Sequence, residues 1–325
     1  MSTVYPVSAA PWVGSNPSPD YSGIFIPQIW SGKLVEKFYA ATVLAAISNT
    51  DYEGEIKNFG DTVNIRTRPT ITISDYQVDM DLAVQRPSSN LVVLQINNGK
   101  YFNVALDDVM EVQSDIDLMN IWAQDAAEQM KIAVDTSVLS YLSTTTDIDS
   151  ANYGANAGKI TAAIDLGTPS APLVVSSNPA TAHTYVLNFI TQAGQVLDEA
   201  NIPESGRWMV IPSWMASLIK QSDLRNASIA GDMTSILRNG RLGEIDRFTL
   251  YYSNLLPTGS TSANEYLVIF GVPAALTFAA QFTKMETIRS ERSFSNLVRG
   301  LQVYGFKVVT AVAMGRAWAI NGLNV

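Results

Sequence analysis

Cysteine is absent from the sequence, and histidine occurs once, at position 183. A chain without cysteine forms no disulfide, zinc–thiolate site or thiol nucleophile. One histidine is too few for a histidine-based metal cluster, and no serine–histidine pair is recognisable around it. The common nucleotide-binding, hydrolase and metalloprotease motifs are also missing. We therefore predict no catalytic, cofactor-binding or metal site, and a structural or surface role for His183.

Charge is scarce, and positive charge especially so. Charged residues make up 16% of the chain, against about 25% in an average protein. The net charge is −9, and no cluster of lysine and arginine occurs. Because a tight grip on phosphates needs several cations, we do not expect sequence-specific nucleic-acid binding. A surface with so little charge suggests that partners cover part of it.

Long apolar runs are missing as well. The most apolar late run, residues 266–282, is interrupted by Gly271 and Pro273 and is shorter than the roughly 20 residues that cross a membrane. The first residues lack the basic start and apolar core of a signal peptide. We expect a protein without a membrane segment that is soluble and cytosolic when it is made.

The patterns that are present predict an α+β protein without a regular βαβ repeat. Residues 1–23 are rich in Ser, Pro and Gly and indicate an extended arm, and residues 26–48 indicate a helix. Residues 114–143 predict the clearest helix, with Ser114 as its expected N-cap; its expected length is on the order of 40 Å. The apolar positions predicted as its core repeat at helical spacing: Met119, Trp122, Ala126, Met130 and Ala133.

A long β excursion precedes that helix. Residues 62–67 and 71–73 alternate apolar and polar side chains, and residues 90–106 predict two more strands around a turn at Asn98–Gly99. Few large apolar side chains occur in these 50 or so residues. Since an isolated two-stranded ribbon is marginal in water, we expect its edges and apolar side to meet something else.

A second unit follows a polar loop. Tyr185, Phe189 and Val196 indicate a helix, and residues 207–211 indicate a buried strand. Pro212 begins a short helix, and residues 232–240 predict another. Strands are predicted over 246–253, 265–271, 274–282, 284–291 and 297–320.

Two carboxylate patterns were weighed for chemistry. Glu53 and Glu55 lie two residues apart, as do Asp79 and Asp81, so each pair shares one side of a strand. Such a pair suits acid/base hydrolysis when its carboxyls are roughly 5–9 Å apart. Residues 147–154 resemble a calcium loop but lack its later ligands. Solvated or ion-paired carboxylates and an ordinary loop are the favoured interpretations.

Three stretches occur in order along the chain: "FIPQIWSGKLVEKFYAATVLAAISNTDYEGEIKNFGDTVNI", "IPESGRWMVIPSWMASLIK" and "RSFSNLVRGLQVYGFKVVTA". Together they resemble the major capsid proteins of tailed phages, whose fold is named after a Hong Kong phage. The first stretch is similar to that family's entry helix, aromatic-Glu-Gly-Glu-Ile turn and Gly-Asp-Thr-Val strand start. Each is weak alone, and the ordered set is specific.

The resemblance implies the Hong Kong phage-type capsid fold and a set of segments. These are an N-arm (1–23), an entry helix (24–51), an extended β loop (52–107), a peripheral domain (108–180) with the spine helix, an axial domain (181–281) and a return to the peripheral domain (282–325). The loop is expected to lie on a neighbouring copy. Subunit contacts are then expected at Glu53, Glu55, Arg66, Arg68, Asp79 and Arg86.

The implied function is a non-enzymatic shell that encloses the DNA of a tailed phage and assembles in the host cytoplasm. Expected partners are copies of the chain in hexamers and pentamers, a separate scaffolding protein, a portal and, optionally, a decoration protein. No lysine lies between Lys57 and Lys100, so we expect no covalent crosslink from the loop tip. Three alternatives stay open: an encapsulin-like compartment, a hydrolase using Glu53 and Glu55, and a tail component or adhesin.

Overall fold

The computed structural model describes residues 40, 42–51, 62–69, 71–89, 91–109, 118–178, 183–222, 243–259, 264–291 and 293–322. Several sequence predictions lie outside these ranges: the N-arm over 1–23, most of the helix over 26–48, the cap Ser114 and the helix over 232–240.

The described helices are α1 (Leu44–Ile47), α2 (Leu118–Thr144), α3 (Val186–Glu199) and α4 (Ser213–Gln221). The strands are β1 (Thr62–Arg66), β2 (Leu91–Gln95), β3 (Asn98–Asp107), β4 (Leu173–Ser176), β5 (Thr184–Tyr185), β6 (Arg207–Ile211), β7 (Glu244–Ile245), β8 (Phe248–Tyr252), β9 (Glu265–Gly271), β10 (Leu276–Arg289), β11 (Ser295–Val308) and β12 (Met314–Asn321). This mixture confirms the α+β fold class.

A seven-stranded mixed sheet runs in the order β5-β4-β12-β9-β6-β8-β7. Its centre is buried on both faces. Along β6, Met209 and Ile211 enter one apolar cluster, whereas Trp208 and Val210 enter another. Because successive side chains of a strand point to opposite faces, a strand covered on both sides needs a continuous apolar run. This explains the run predicted over 207–211, which the structure confirms.

Helix α3 covers one face of this sheet. Its buried residues recur at helical spacing and join the same cluster as Met209: Val186, Phe189, Ile190, Ala193, Val196 and Leu197. One apolar stripe facing the core is what a helix needs to pack on a sheet. The helix predicted from Tyr185, Phe189 and Val196 is confirmed, as is the short helix after Pro212, which begins at Ser213.

A second sheet is antiparallel and has three strands, in the order β10-β11-β3. Strands β10 and β11 make a long hairpin, and β3 pairs with β11 from Asp107 to Asn98. Helix α2 packs on β3 and β11. Val138, Leu139 and Leu142 of α2 share a cluster with Leu276 and Val308 of the hairpin, so the core of this region lies under the second half of the helix.

The five apolar positions predicted as the core of α2 are half-buried in the single chain: Met119, Trp122, Ala126, Met130 and Ala133. The fully buried apolar residues of α2 lie further along, at Val134, Val138, Leu139 and Leu142. The helix therefore presents a half-covered apolar first half to its surroundings.

Three details differ from the sequence predictions. Residues 71–73 do not form a strand, because the backbone opposite them does not pair with them. Asn98 and Gly99, where a turn was expected, lie inside β3, because Asn98 pairs with Tyr304 of β11; the chain passes from β2 to β3 at Ile96 and Asn97. The domain boundary expected at residue 281 falls inside β10, and β12 lies in the seven-stranded sheet between β4 and β9.

Candidate assembly surface

Residues 62–95 form one long hairpin, which we call the arm. Strands β1 and β2 pair antiparallel at its base, with Thr62 opposite Gln95. Counted on from that pair, Thr72 falls opposite Gln85, and the Gln85 side-chain amide indeed bonds the Thr72 backbone at both its N–H (3.1 Å) and its carbonyl (2.6 Å). The distal part therefore keeps the register of β1 and β2.

The same register places Gln77 opposite Met80 at the tip, where the Met80 N–H donates to the Gln77 carbonyl at 3.4 Å. Between them, Asp79 has a φ of +72°. A positive φ at this position is typical of a tight turn, and aspartate tolerates it better than most residues. The predicted contact residue Asp79 thus forms the tip of the arm, roughly 40 Å from β1 at the usual rise of a strand.

The arm has an apolar face. Directly opposite residues of an antiparallel pair share one side, so the register groups five large side chains together: Ile71, Ile73, Met80, Leu82 and Val84. All are exposed in the single chain, Ile73 and Val84 at 89% and 88%. By the same register, Asp75 also lies on this side, and the other face carries Thr72, Ser74, Tyr76, Asp81, Ala83 and Gln85.

At the base of the arm, this face is already covered. Val63, Ile65, Val92 and Leu94 belong to the same side of the hairpin, and Ile65 and Leu94 are buried. They pack with Ala279 of β10 and Val303 of β11. The apolar face therefore runs from a covered base to a bare distal half.

The predicted contact residues divide between the two faces. Arg66, Arg68 and Arg86 are exposed and form no ion pair with another described residue. Arg86 falls opposite Ile71, on the apolar face, whereas Arg66 lies opposite Leu91 on the other face. Glu53 and Glu55 lie outside the described residues. Within the described chain, these residues are not brought together.

We call the described residues outside the arm the body; charged groups of the body, such as Arg207, form bonds within the chain. The buried Arg207 guanidinium donates to Asp198 at 2.7 Å and to the Ile202 carbonyl at 2.6 Å. Burial acts to raise the pKa of Asp198, but hydrogen bonds from Arg207 and Arg247 outweigh it and lower that pKa. These contacts fix the loop between α3 and β6, which is a structural task.

In the loop that resembles a calcium site, the Asp147 carboxylate is already bonded by side chains of the same chain. Lys307 donates to Asp147 at 2.7 Å, and Tyr141 also bonds this carboxylate. Burial, followed by that bond, raises the pKa of Tyr141 to about 12. Among the described residues, no group of three or more acidic or histidine side chains is arranged to hold a metal ion. His183 is half-buried beside Gly322.

Sequence reasoning missed the distal apolar residues Met80, Leu82 and Val84. Their signal was present, because apolar side chains occupy every second position from Tyr76 to Val84.

No helix within the described ranges is both long and apolar enough to span a membrane.

Known proteins share this architecture. A family model described as "Phage capsid protein" matches residues 94–321. A chain from Mycobacterium phage Che8 is 25% identical, with a TM-score of 0.71, over 90% of this chain and 97% of that one. None of the curated proteins matches in sequence.

Two other solved structures share the fold at lower identity. The capsid of cyanophage P-SCSP1u gives a TM-score of 0.68 at 14% identity, over 91% of this chain and 94% of that one. The capsid of a native GTA particle gives 0.64 at 12% identity, over 95% and 99%.

The fold and the uncovered arm thus define a structural subunit of a protein shell. The match over 94–321 is more specific: the chain belongs to the phage capsid protein family, and it is a major capsid protein of a tailed phage with the Hong Kong phage-type fold.

Proposed function

We propose that copies of this chain assemble as hexamers and pentamers into an icosahedral shell, and that the apolar face of the arm docks on a neighbouring copy. The observation that carries the proposal is the bare apolar face formed by Ile71, Ile73, Met80, Leu82 and Val84. Exposed apolar patches of this kind mark interaction sites.

The energetics favour a partner over solvent for this face. Full burial of one such side chain contributes about 1.5–3 kcal/mol, and a docked arm covers several of them. A copy that gives an arm to one neighbour and receives an arm from another makes a heterologous contact, which closes into a ring when the rotation allows. Many copies linked in this way hold a shell together without great affinity at any single contact.

The arm's charges contribute less. Arg66, Arg68 and Arg86 are proposed to meet acidic groups of neighbouring copies, among them Glu53, Glu55 and Asp79. Ion pairs at an exposed rim contribute roughly 0–1 kcal/mol each, so they set register and orientation while apolar contact supplies most of the free energy.

The half-buried first half of α2 is proposed as a second contact. Met119, Trp122 and Met130 are only partly covered in the single chain. A long helix whose apolar side is incompletely covered by its own sheet favours a neighbouring element, either from the same chain outside the described ranges or from another copy.

The net charge of −9 suits a container for DNA. An acidic inner wall repels phosphates, so packaged DNA slides rather than sticks. We further propose that shell formation takes place in the host cytoplasm with a separate scaffolding protein and a portal, that a decoration protein is optional, and that the chain has no catalytic activity.

A matched pair of substitutions tests the arm. Ile73→Asp places a charge on the apolar face, and Ser74→Asp places the same charge one residue away on the polar face. Both positions are exposed, so neither change should alter the thermal unfolding of the unassembled subunit.

The readout is the yield of shells seen by electron microscopy in cells that also express the other head proteins. We expect Ile73→Asp to abolish shells and Ser74→Asp to leave them near normal. Normal shells from Ile73→Asp would overturn the docking of the apolar face.

A further inference from the structure

Helix α2 carries a buried carboxylate that is only half satisfied. Asp135 is 1% exposed, and its Oδ2 accepts the Val43 N–H at 3.0 Å. Its Oδ1 has no hydrogen-bond partner in the structure. Burial raises the pKa of Asp135, and the backbone N–H groups of Val43 and Leu44 offset only part of that rise, because a buried charge without full hydrogen bonding is costly.

A cavity of about 540 Å³ lies beside this carboxylate, between α1 and α2. Its polar wall includes Ser48, Asp51, Lys131, Asp135 and Gln302, and Phe278 supplies an apolar wall. Lys131 is engaged by Glu128 at 2.5 Å, on the exposed side of the helix. The wall thus carries two carboxylates, from Asp51 and Asp135, and one ammonium group that is already paired. This excess of negative charge favours binding of a cationic group in the cavity.

The arm supplies one cation in a suitable place. Arg86 is the arginine on its apolar face, opposite Ile71, and it forms no ion pair with another described residue. When that face docks, the guanidinium leaves bulk water. A desolvated arginine requires a carboxylate to remain buried at acceptable cost, and its planar fork fits one well.

We propose that Arg86 of one copy enters the cavity between α1 and α2 of a neighbouring copy and pairs with the free oxygen of Asp135. The inference rests on the proposed function, because it needs the arm to cross between copies. It joins two unsatisfied groups of complementary charge within the described chain: one cation on a docking face and one buried anion beside a cavity. The arm's apolar side chains and Phe278 then exclude water from the pair.

The pairing predicts opposite effects in two states of the protein. Asp135→Asn keeps an oxygen that accepts the Val43 N–H and removes the unpaired charge. The unassembled subunit should therefore become more stable, with its melting temperature raised by roughly 2 °C. The assembled shell loses the pair, and the subunit–subunit affinity should fall roughly tenfold.

Arg86→Gln provides the reciprocal test. It should leave the subunit's melting temperature unchanged, because Arg86 is exposed there, and it should weaken the shell to the same degree as Asp135→Asn. The double variant should be no weaker than either single variant, since both remove one interaction. Arg66→Gln, on the other face of the arm, is the control and should weaken the shell additively, if at all.

Proximity is measured directly by a disulfide trap, because the chain has no cysteine of its own. Thr50 is exposed and lines the cavity. Purified shells of the double variant Arg86→Cys, Thr50→Cys should give covalent oligomers on a non-reducing gel, whereas Arg66→Cys, Thr50→Cys should not.

Three results would overturn the pairing: additive losses from Asp135→Asn and Arg86→Gln, no loss of shell stability from either, or trapping by the Arg66 variant alone. Those results, with shells still abolished by Ile73→Asp, would leave the docking of the arm intact. Normal shells from Ile73→Asp would instead remove the docking itself.

Discussion

The seven-stranded sheet and the arm are both built from strand-like sequences, but the environments of their apolar side chains are opposite: buried in the sheet and exposed in the distal arm. Every residue of β6 is buried, and its two faces feed two separate clusters within the chain. In the distal arm, Ile73, Leu82 and Val84 are exposed. The continuous apolar run of β6 finds its partners within one copy, whereas the alternating apolar side chains of the distal arm do not.

The difference lies in backbone pairing as much as in side chains. The inner strands of the sheet are held by backbone ladders on both sides. The distal arm is joined across its width by side-chain bonds, such as those of Gln85 to Thr72 and of Ser89 to Thr67, and by the backbone bond between Met80 and Gln77 at its tip. An isolated ribbon of this kind has marginal stability in water. We therefore expect the body to fold as a subunit and the arm to complete its structure in the shell.

Replacing a core aromatic should give the largest effect. Phe270 is fully buried in β9, and its ring meets that of Phe248 edge-on at 6.3 Å. Phe270→Ala should cost about 3–5 kcal/mol of unfolding free energy, measured by urea denaturation of the unassembled subunit.

Ile73→Ala in the arm is the matched comparison. It should change the subunit's unfolding free energy by less than about 0.5 kcal/mol, because the side chain is exposed there. Equal losses from the two variants would show that the arm is packed within its own subunit and would remove the contrast between the two regions.

What the sequence predicts follows the same division. Elements that bury their side chains within the chain, such as β6 and α3, were predicted correctly, because apolar periodicity reports burial. The arm was recognised as a ribbon in need of a partner, but its register was not, since it depends on the Gln85 bond to Thr72. Asp135 gave no sequence signal, because its significance lies in a contact with Val43, 92 residues away.

The junction between the two regions can be broken at one glycine. A Cβ at Gly305 of β11 would lie 2.3 Å from the Gln95 carbonyl oxygen and 3.0 Å from the Ile96 Cα, both of which are backbone atoms at the end of β2. Gly305→Ala should force the base of the arm away from β11 and cost about 1–3 kcal/mol. Faster hydrogen exchange over residues 91–96 should accompany the loss.

Gly99→Ala serves as the control for this junction. Its Cβ would meet only the Gln302 carbonyl, at 4.0 Å, which is ordinary contact. Its unfolding free energy and exchange rates should stay close to those of the unchanged protein. If Gly305→Ala behaved like this control, the base of the arm would not be fixed by close packing on the hairpin of β10 and β11.

The smallest expected effect belongs to a carboxylate on the body. Glu199, at the end of α3, accepts the N–H groups of Thr161 (3.0 Å) and Ile160 (2.8 Å) and the side-chain amide of Gln195 (2.9 Å). The Thr161 N–H is the largest cause that lowers the pKa of Glu199 to about 2. A carboxyl with a depressed pKa stabilises the folded state above its ordinary pKa, near 4.5, and loses that stabilisation as the pH falls toward 2.

Glu199→Gln should therefore remove part of the acid sensitivity of the subunit. The urea midpoint of the unchanged protein should fall between pH 4.5 and pH 2 by more than that of the variant, and the two curves should run parallel above pH 5. The difference should be small, because the carboxylate is partly exposed and screened by solvent. Glu128→Gln, at an exposed helical pair with Lys131, should leave the slope nearly unchanged. If Glu199→Gln also left the slope nearly unchanged, the hydrogen bonds from residues 160 and 161 would not hold this loop to the body. The contrast between a body whose charged groups are mostly bonded within the chain and an arm whose side chains are exposed would then be weaker.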